Sequence, residues 1–167
     1  MKKYFQYLKY VLRHKWFVAL ACFREGLYWQ GLVHDLSKFL PSEFVSYAQY
    51  FYGKNDQEAL LASAVYGISE LAPFGFYTRD RFRVSWLKHQ NRNPHHHQYW
   101  YLVNDEDPSW ALPMPDKYIR EMICDWRGAA LAQGEKTGPR DWYLKNCEKM
   151  NLHPDTRAAV EKMLGVA

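Results

Sequence analysis

The sequence is poor in cysteine, and none of its three cysteines, Cys22, Cys124 and Cys147, stands in a C-x-x-C spacing. An odd, scattered set argues against a disulfide framework or a thiolate metal site and predicts reduced, mostly buried thiols. Long apolar runs are also missing, since the longest, at residues 17–23, is far too short to span a bilayer. The basic N-terminal stretch resembles a leader only superficially, because charges interrupt it and no small-residue cleavage site follows. We therefore expect a cytoplasmic protein without a membrane partner.

The chain also lacks a strong excess of either charge. Lys and Arg number 22 against 18 Asp and Glu, which gives a formal net charge of +4. A mild basic excess suits a small anionic ligand but falls short of the dense basic surface of a duplex-DNA binder. The hydrophobic fraction of 48% excludes a disordered chain. We expect a small anionic substrate and no extended nucleic-acid binding.

No useful strand alternation, repeat or low-complexity segment is present, whereas helical periodicity is widespread. The 167 residues predict one all-α domain over residues 1–167, a compact bundle of about seven to eight helices. The predicted helices cover about residues 2–22, 24–39, 41–52, 56–70, 79–90, 115–133, 140–149 and 154–164. A short helix is also predicted over residues 95–101, and residues 71–78 and 105–113 are predicted to be loops.

One dipeptide, His34-Asp35, lies near the end of the second predicted helix. Consecutive residues of a helix point about 100° apart, so an imidazole and a carboxylate there can converge on one metal ion. The predicted apolar anchors of that helix are Leu27, Leu32, Leu36 and Phe39. A carboxylate among such residues needs a partner, which could be a metal, an arginine or a lysine.

Further imidazoles and carboxylates extend this pair to a possible ligand set. His14 falls in the stripe of the first predicted helix that is expected to be buried. The other members of the set are His89, His95, His96, His97 and Asp125. Glu121 lies one turn before Asp125. Each histidine alone is more often a core residue than a ligand, and three consecutive histidines cannot all face one site. Together they suit one or two divalent transition metals, Fe, Mn, Ni, Co or Zn, in a partly open site.

Several stretches carry a resemblance to a known superfamily. They are His14-Lys15, residues 31–39, 41–44, 86–89, 93–96, 99–100 and 114–118, and Glu121 to Asp125. The order of these motifs resembles the HD-domain superfamily of all-α metal-dependent phosphohydrolases, whose relatives include di-iron oxygenases. The chain is more closely similar to an uncharacterised HD-like family of bacteria and tailed phages, over about residues 4–164.

The resemblance implies two sets of metal ligands. The implied ligands of a first metal are His14, His34, Asp35 and Asp125. His89 and either His95 or His96 would serve a second metal, with Asp35 bridging the two ions. The short separation of His89 and His96 keeps a one-metal site open, and His97 replaces an aromatic residue of the family pattern. Glu121, one turn before Asp125, is expected to support a metal ligand rather than bind the metal itself.

Other residues are candidates for contact with substrate. Lys38 follows Asp35 by three residues and is predicted to share its helix face, although a cation at a helix end is also favourable without a ligand. Glu43 could orient a histidine or act as a general base, or only stabilise a helix N-terminus. Candidates for binding a phosphate are Lys38, Lys88, Arg92 and Asn93.

Three functions follow from these residues. The first is a metal-dependent phosphohydrolase that uses a metal-activated water on a small phosphoester, for which a nucleotide is one candidate. The second is a non-haem di-iron oxygenase on the same scaffold, which the extra histidines favour. The third is a non-enzymatic phage or host interaction module with a structural or lost metal.

Overall fold

The computed structural model of the protein describes residues 1–53 and 72–166. These residues form seven α-helices, α1 Lys2–Arg24, α2 Tyr28–Val33, α3 Pro41–Tyr52, α4 Ala72–Arg92, α5 Asp116–Gln133, α6 Pro139–Asn146 and α7 Pro154–Leu164. Three short 3₁₀ helices cover Leu36–Phe39, His97–Trp100 and Cys147–Lys149. Two two-residue strands, β1 Tyr101–Leu102 and β2 Trp110–Ala111, pair antiparallel.

The all-α prediction is confirmed, and most helices lie where periodicity placed them. Prolines open α3, α6 and α7 in their first turns, where the missing N–H is tolerated. Gly134 ends α5 at a φ of +78°, a left-handed conformation that favours glycine. The predicted helix over residues 56–70 lies outside the described residues. Within the described ranges, no helix is both long enough and apolar enough to cross a membrane.

Four local predictions were wrong. The predicted helix over residues 24–39 is instead α2 followed by a 3₁₀ helix, because the chain turns at His34 and Asp35. The predicted loop at 71–78 is helical from Ala72, since a proline at the second helical position is compatible with a first turn. Residues 95–101 contain a 3₁₀ helix rather than an α-helix. The predicted loop at 105–113 contains β2.

The chain divides into two compact units. The first comprises Met1–Val11 and Leu36–His89, and the second comprises Leu12–Asp35 and Gln90–Ala167. A cluster of Tyr7, Val11, Tyr47 and Ala48 forms the core of the first unit. The second unit has one cluster that includes Ile119, Met122, Tyr143 and Val160, and another formed by Val18, Ala21, Cys22, Leu27 and Cys124. The prediction of one domain over the whole chain stays a prediction.

Gly128 of α5 allows α1 to pack closely against α5 in the second unit. A Cβ added at Gly128 would lie 2.3 Å from Cγ2 of Val18 and 2.9 Å from its backbone nitrogen. Gly128 is three residues beyond Asp125, and Val18 is four residues beyond His14. Since residues three or four apart share a helix face, the close approach brings these two candidate ligands together.

We expect Gly128→Ala to destabilise the protein by about 1–3 kcal/mol, because backbone atoms of Val18 would have to move. In an open helix the same change would be stabilising. The matched control is Gly31→Ala, where the added Cβ would meet the ring of Phe23 at 2.9 Å. That ring is partly exposed and can move, so the control should cost less. Urea unfolding of both variants measures the difference, and equal losses would contradict this account of the helix contact.

Candidate metal centre

The candidate centre lies in the second unit, where three separate elements supply its side chains. His14 is on α1, Asp125 is on α5, and His34 and Asp35 follow the end of α2 directly. Asp35 has a φ of +53° and is the only non-glycine residue with positive φ in the described ranges. Such a conformation costs an L-residue roughly 1–2 kcal/mol, although aspartate tolerates it better than most. Strain of this kind often marks a functional position.

Ligand atoms of four side chains converge at this point. Nε2 of His14 lies 3.1 Å from Oδ1 of Asp125 and 3.5 Å from Oδ2 of Asp35. Nε2 of His34 lies 3.4 Å from each of the same two carboxylates. One ligand atom from each residue lies within 4.8 Å of the others, and the cluster could hold a metal ion. The structure therefore brings together the four side chains that the resemblance implies as ligands of a first metal.

The spacing of these atoms agrees with metal coordination. Bonds of about 2.0–2.2 Å place neighbouring ligand atoms about 2.8–3.6 Å apart, from octahedral to tetrahedral angles. All four distances above fall in that interval. Three of the side chains are almost fully buried, whereas that of Asp125 is 14% exposed, so Asp125 is the most accessible of the four.

Glu121 orients His34 from the side opposite the cluster. Its Oε1 accepts a hydrogen bond of 3.0 Å from Nδ1 of His34, because an ionised carboxylate can only accept. With its proton on Nδ1, His34 presents the lone pair of Nε2 to the cluster. A carboxylate behind a ligating imidazole is a common arrangement in metal sites. The contact suits the supporting role expected of Glu121, which stays a prediction.

His95 contacts two of these carboxylates, those of Glu121 and Asp35. Its Nδ1 lies 3.4 Å from Oε1 of Glu121, and its Nε2 lies 3.3 Å from Oδ1 of Asp35. The two oxygens of Asp35 therefore face different imidazoles, Oδ2 towards His14 and His34 and Oδ1 towards His95. This geometry suits a bridging carboxylate, but bridging stays a prediction.

A turn before β1 fixes the position of His95. The N–H of His96 donates to the carbonyl of Asn93 at 3.0 Å, and the indole N–H of Trp100 donates to the carbonyl of Pro94 at 2.8 Å. His96 is half-buried, with its ring 4.3 Å from that of His95. His97 faces a pocket lined partly by Asn151 and His153, and burial lowers its pKa to about 4. Of the three consecutive histidines, His95 lies 3.3 Å from Asp35, and His96 also has a ligand atom within 4.8 Å of Asp35.

The carboxylates also control the protonation of the cluster. Burial opposes a charge on His34, but Asp35, Asp125 and Glu121 outweigh it and raise the pKa of His34 well above 6.5. Burial alone would raise the pKa of Glu121, yet the two neighbouring imidazoles lower it to about 2. Asp125 also has a pKa well below its usual value, because His14 and His34 outweigh its burial. Without a metal, a proton on His34 balances part of the charge of the buried carboxylates.

Sequence reasoning missed Lys15 as a residue of this centre. Its Nζ donates to the carbonyl oxygens of Leu32 at 2.7 Å and His34 at 3.0 Å. Burial lowers the pKa of Lys15, and the charge of Asp35 opposes that change. The sequence signals for Lys15 are its place beside His14 and its inclusion in the His14-Lys15 stretch of the resemblance.

Other predicted site residues belong to the first unit. His89 is fully buried, and its Nδ1 lies 2.9 Å from Oε2 of Glu43 and 3.0 Å from Oγ of Ser37. Glu43 is in the first turn of α3 but is buried and contacts a histidine, as expected of a residue that orients one. Lys38 is half-buried and lies in the 3₁₀ helix Leu36–Phe39. Because α2 ends at Val33, Lys38 and Asp35 do not share the α-helix face that was predicted for them. Lys88 is exposed.

Two predicted substrate contacts lie in the second unit, beside the turn of His95. Arg92 is exposed at the end of α4, and Asn93 is half-buried and accepts the hydrogen bond that closes the turn. Their roles stay predictions, as do those of Lys38, Lys88, Glu43 and His89.

We expect Glu121→Gln to weaken metal binding about 10–100-fold, since the amide keeps the size of Glu121 but not its charge. Titration calorimetry with Mn²⁺ measures the effect. Glu161→Gln makes the same change at a residue that accepts a hydrogen bond from Tyr143, away from the cluster. A Glu121→Gln protein that binds Mn²⁺ as tightly as this control would contradict the supporting role.

Comparison with known proteins gives one match. Residues 3–166 match a family described as "Family of unknown function (DUF5662)". Neither the curated proteins nor the solved structures contain a match.

Proposed function

Because the chain belongs to this family of unknown function, we propose from the site itself that it is a metal-dependent phosphohydrolase acting on a small phosphoester. The observation that carries the proposal is the buried convergence of two imidazoles and two carboxylates, His14, His34, Asp35 and Asp125. The motif order that resembles the HD-domain superfamily supports the same reaction.

The donor set favours particular metals. A donor set of imidazole nitrogens and carboxylate oxygens, without a thiolate, suits Fe, Mn, Ni, Co or Zn better than it suits a soft metal ion. Two carboxylates offset the charge of one divalent ion. His95, on the second oxygen of Asp35, and His96 beside it are the residues of this unit proposed for a second ion. We propose one or two divalent transition metals as the cofactor.

Hydrolysis of a phosphoester requires an activated water, neutralisation of phosphoryl oxygens and a proton for the leaving oxygen. A bound divalent metal supplies the first by lowering the pKa of a coordinated water towards neutrality. Glu121 keeps the proton of His34 on Nδ1, which directs Nε2 to the cluster. In a one-metal site, His95 is our candidate for donating a proton to the leaving oxygen. The substrate reaches the metal beside Asp125, the most accessible of the four side chains.

The substrate is proposed to be a small anion. Arg92 and Asn93, which precede the turn of His95, are our candidates for contacting its phosphate, and a nucleotide is one candidate for the substrate. The mild net charge of +4 agrees with attraction of such an anion.

The test is phosphate release by protein purified without a histidine tag and loaded separately with Mn²⁺, Co²⁺, Fe²⁺, Ni²⁺ or Zn²⁺. Substrates are p-nitrophenyl phosphate, bis-p-nitrophenyl phosphate and the nucleoside monophosphates. We expect turnover with at least one metal, abolished by chelator and in Asp35→Asn. Metal binding without hydrolysis of any substrate would contradict the proposal. Oxygen consumption by the Fe²⁺ form would then favour the di-iron oxygenase.

A further inference from the structure

Lys15 connects α1 to the chain segment that carries two of the proposed ligands. Its ammonium group donates to the carbonyls of Leu32 and His34, at 2.7 and 3.0 Å. The first carbonyl belongs to the last turn of α2, and the second to the residue whose side chain enters the cluster. All of these residues lie in the second unit.

The end of α2, which Lys15 contacts, gains little from apolar packing. α2 has six residues, and its last carbonyls have no partner within the helix. The apolar side chain of Leu32 is 57% exposed, so burial does little to anchor the end of α2. The chain then extends at His34, with a ψ of 127°, before Asp35 adopts its positive φ. A strained turn of this kind persists only when neighbouring groups fix it.

We propose that Lys15 is a positioning residue that holds the His34-Asp35 turn so that both side chains face the metal. Two adjacent residues of α1 then serve the same site. His14 supplies a ligand, and Lys15 fixes the backbone that carries the ligands His34 and Asp35. An ammonium has three donors and no acceptor, so it can bind both carbonyls at once. The inference rests on the proposed metal site and adds a residue that the ligand set does not contain.

The experiment compares Co²⁺ binding by the unsubstituted protein, Lys15→Met, Lys15→Arg and Arg13→Met. Methionine keeps the length of the side chain but has no donor, whereas arginine can donate to two carbonyls. Arg13 is the matched control, since it precedes His14 on α1 and donates to the carbonyl of Leu131 at 3.2 Å. The readouts are the Kd of Co²⁺ and its visible absorption spectrum, measured at a temperature at which circular dichroism shows each variant folded.

We expect Lys15→Met to bind Co²⁺ about tenfold or more weakly, with an altered spectrum, as for other residues that orient ligands. Lys15→Arg should restore most of the affinity, and Arg13→Met should match the unsubstituted protein. An unchanged Kd and spectrum in Lys15→Met would overturn the inference while leaving the metal site intact. If Lys15→Met does not fold, Lys15→Leu, which also has no donor, takes its place with the same expected loss. A lack of Co²⁺ binding by the unsubstituted protein would overturn the proposed function and this inference together.

Discussion

Replacing Asp35 with asparagine should reduce metal affinity by at least about 100-fold and abolish hydrolysis. The carboxylate faces three imidazoles with its two oxygens, and an amide is a neutral and poorer ligand. Loss of a residue that only supports a ligand costs about 10–100-fold, so loss of the ligand itself should cost more. Asparagine has nearly the same shape and tolerates a positive φ, so the fold should survive. Titration with Mn²⁺ measures the affinity, and circular dichroism checks the fold.

The control for this variant is Asp116→Asn. It removes the same charge from the same unit, but Asp116 is 66% exposed and pairs with Arg120 at the start of α5. Its metal affinity should equal that of the unsubstituted protein. If Asp35→Asn bound Mn²⁺ as well as Asp116→Asn does, Asp35 would not be a ligand.

The second large effect concerns the pH dependence of stability, which should be present without metal and nearly absent with it. In the metal-free protein the folded pKa of His34 lies well above 6.5. The stability from that proton is fully present below about pH 6.5 and is lost as the pH rises through the folded pKa. The free energy of unfolding should therefore fall above pH 6.5, by at most about 1.4 kcal/mol per pH unit for one proton. Glu121, with a pKa of about 2, does not titrate in this range.

A bound metal should remove this trend. Metal requires a neutral imidazole, so its affinity rises with pH as His34 loses its proton, and this gain offsets the stability that is lost with the proton. At a metal concentration 100 times the Kd, binding adds about 2.7 kcal/mol to the free energy of unfolding. Urea unfolding at pH 6.5, 7.5 and 8.5, with EDTA or with Mn²⁺, measures both slopes. His34→Gln should flatten the metal-free slope, and parallel slopes with EDTA and Mn²⁺ would contradict the exchange of proton for metal.

The side chains of the candidate metal centre could be predicted from the sequence because residue type and order carry that information. His14 fell in the buried stripe of α1, and Asp125 in a long, regular helix whose bounds were nearly correct. Periodicity works in such helices because a single face meets the core. The same reasoning placed Glu121 one turn before Asp125, where it now contacts His34.

The turn at the centre of the site could not be predicted in the same way. Periodicity continued the second helix through residue 39, yet Leu32 and Leu36, two of its predicted anchors, are more than half exposed. The helix ends at Val33 because His34 and Asp35 adopt conformations that only their tertiary neighbours stabilise. The bonds from Lys15 are of that kind, since they join residues 17 and 19 positions apart. A local pattern contains no signal for them.

The central claim is that His14, His34, Asp35 and Asp125 hold a metal ion. Elemental analysis of protein purified without a histidine tag, beside the Asp35→Asn variant, tests it most directly. The account predicts about one or two equivalents of Fe, Mn, Ni, Co or Zn per chain, lost in the variant. No metal in either protein, even after each of these ions has been offered in excess, would contradict it and favour a non-enzymatic interaction module.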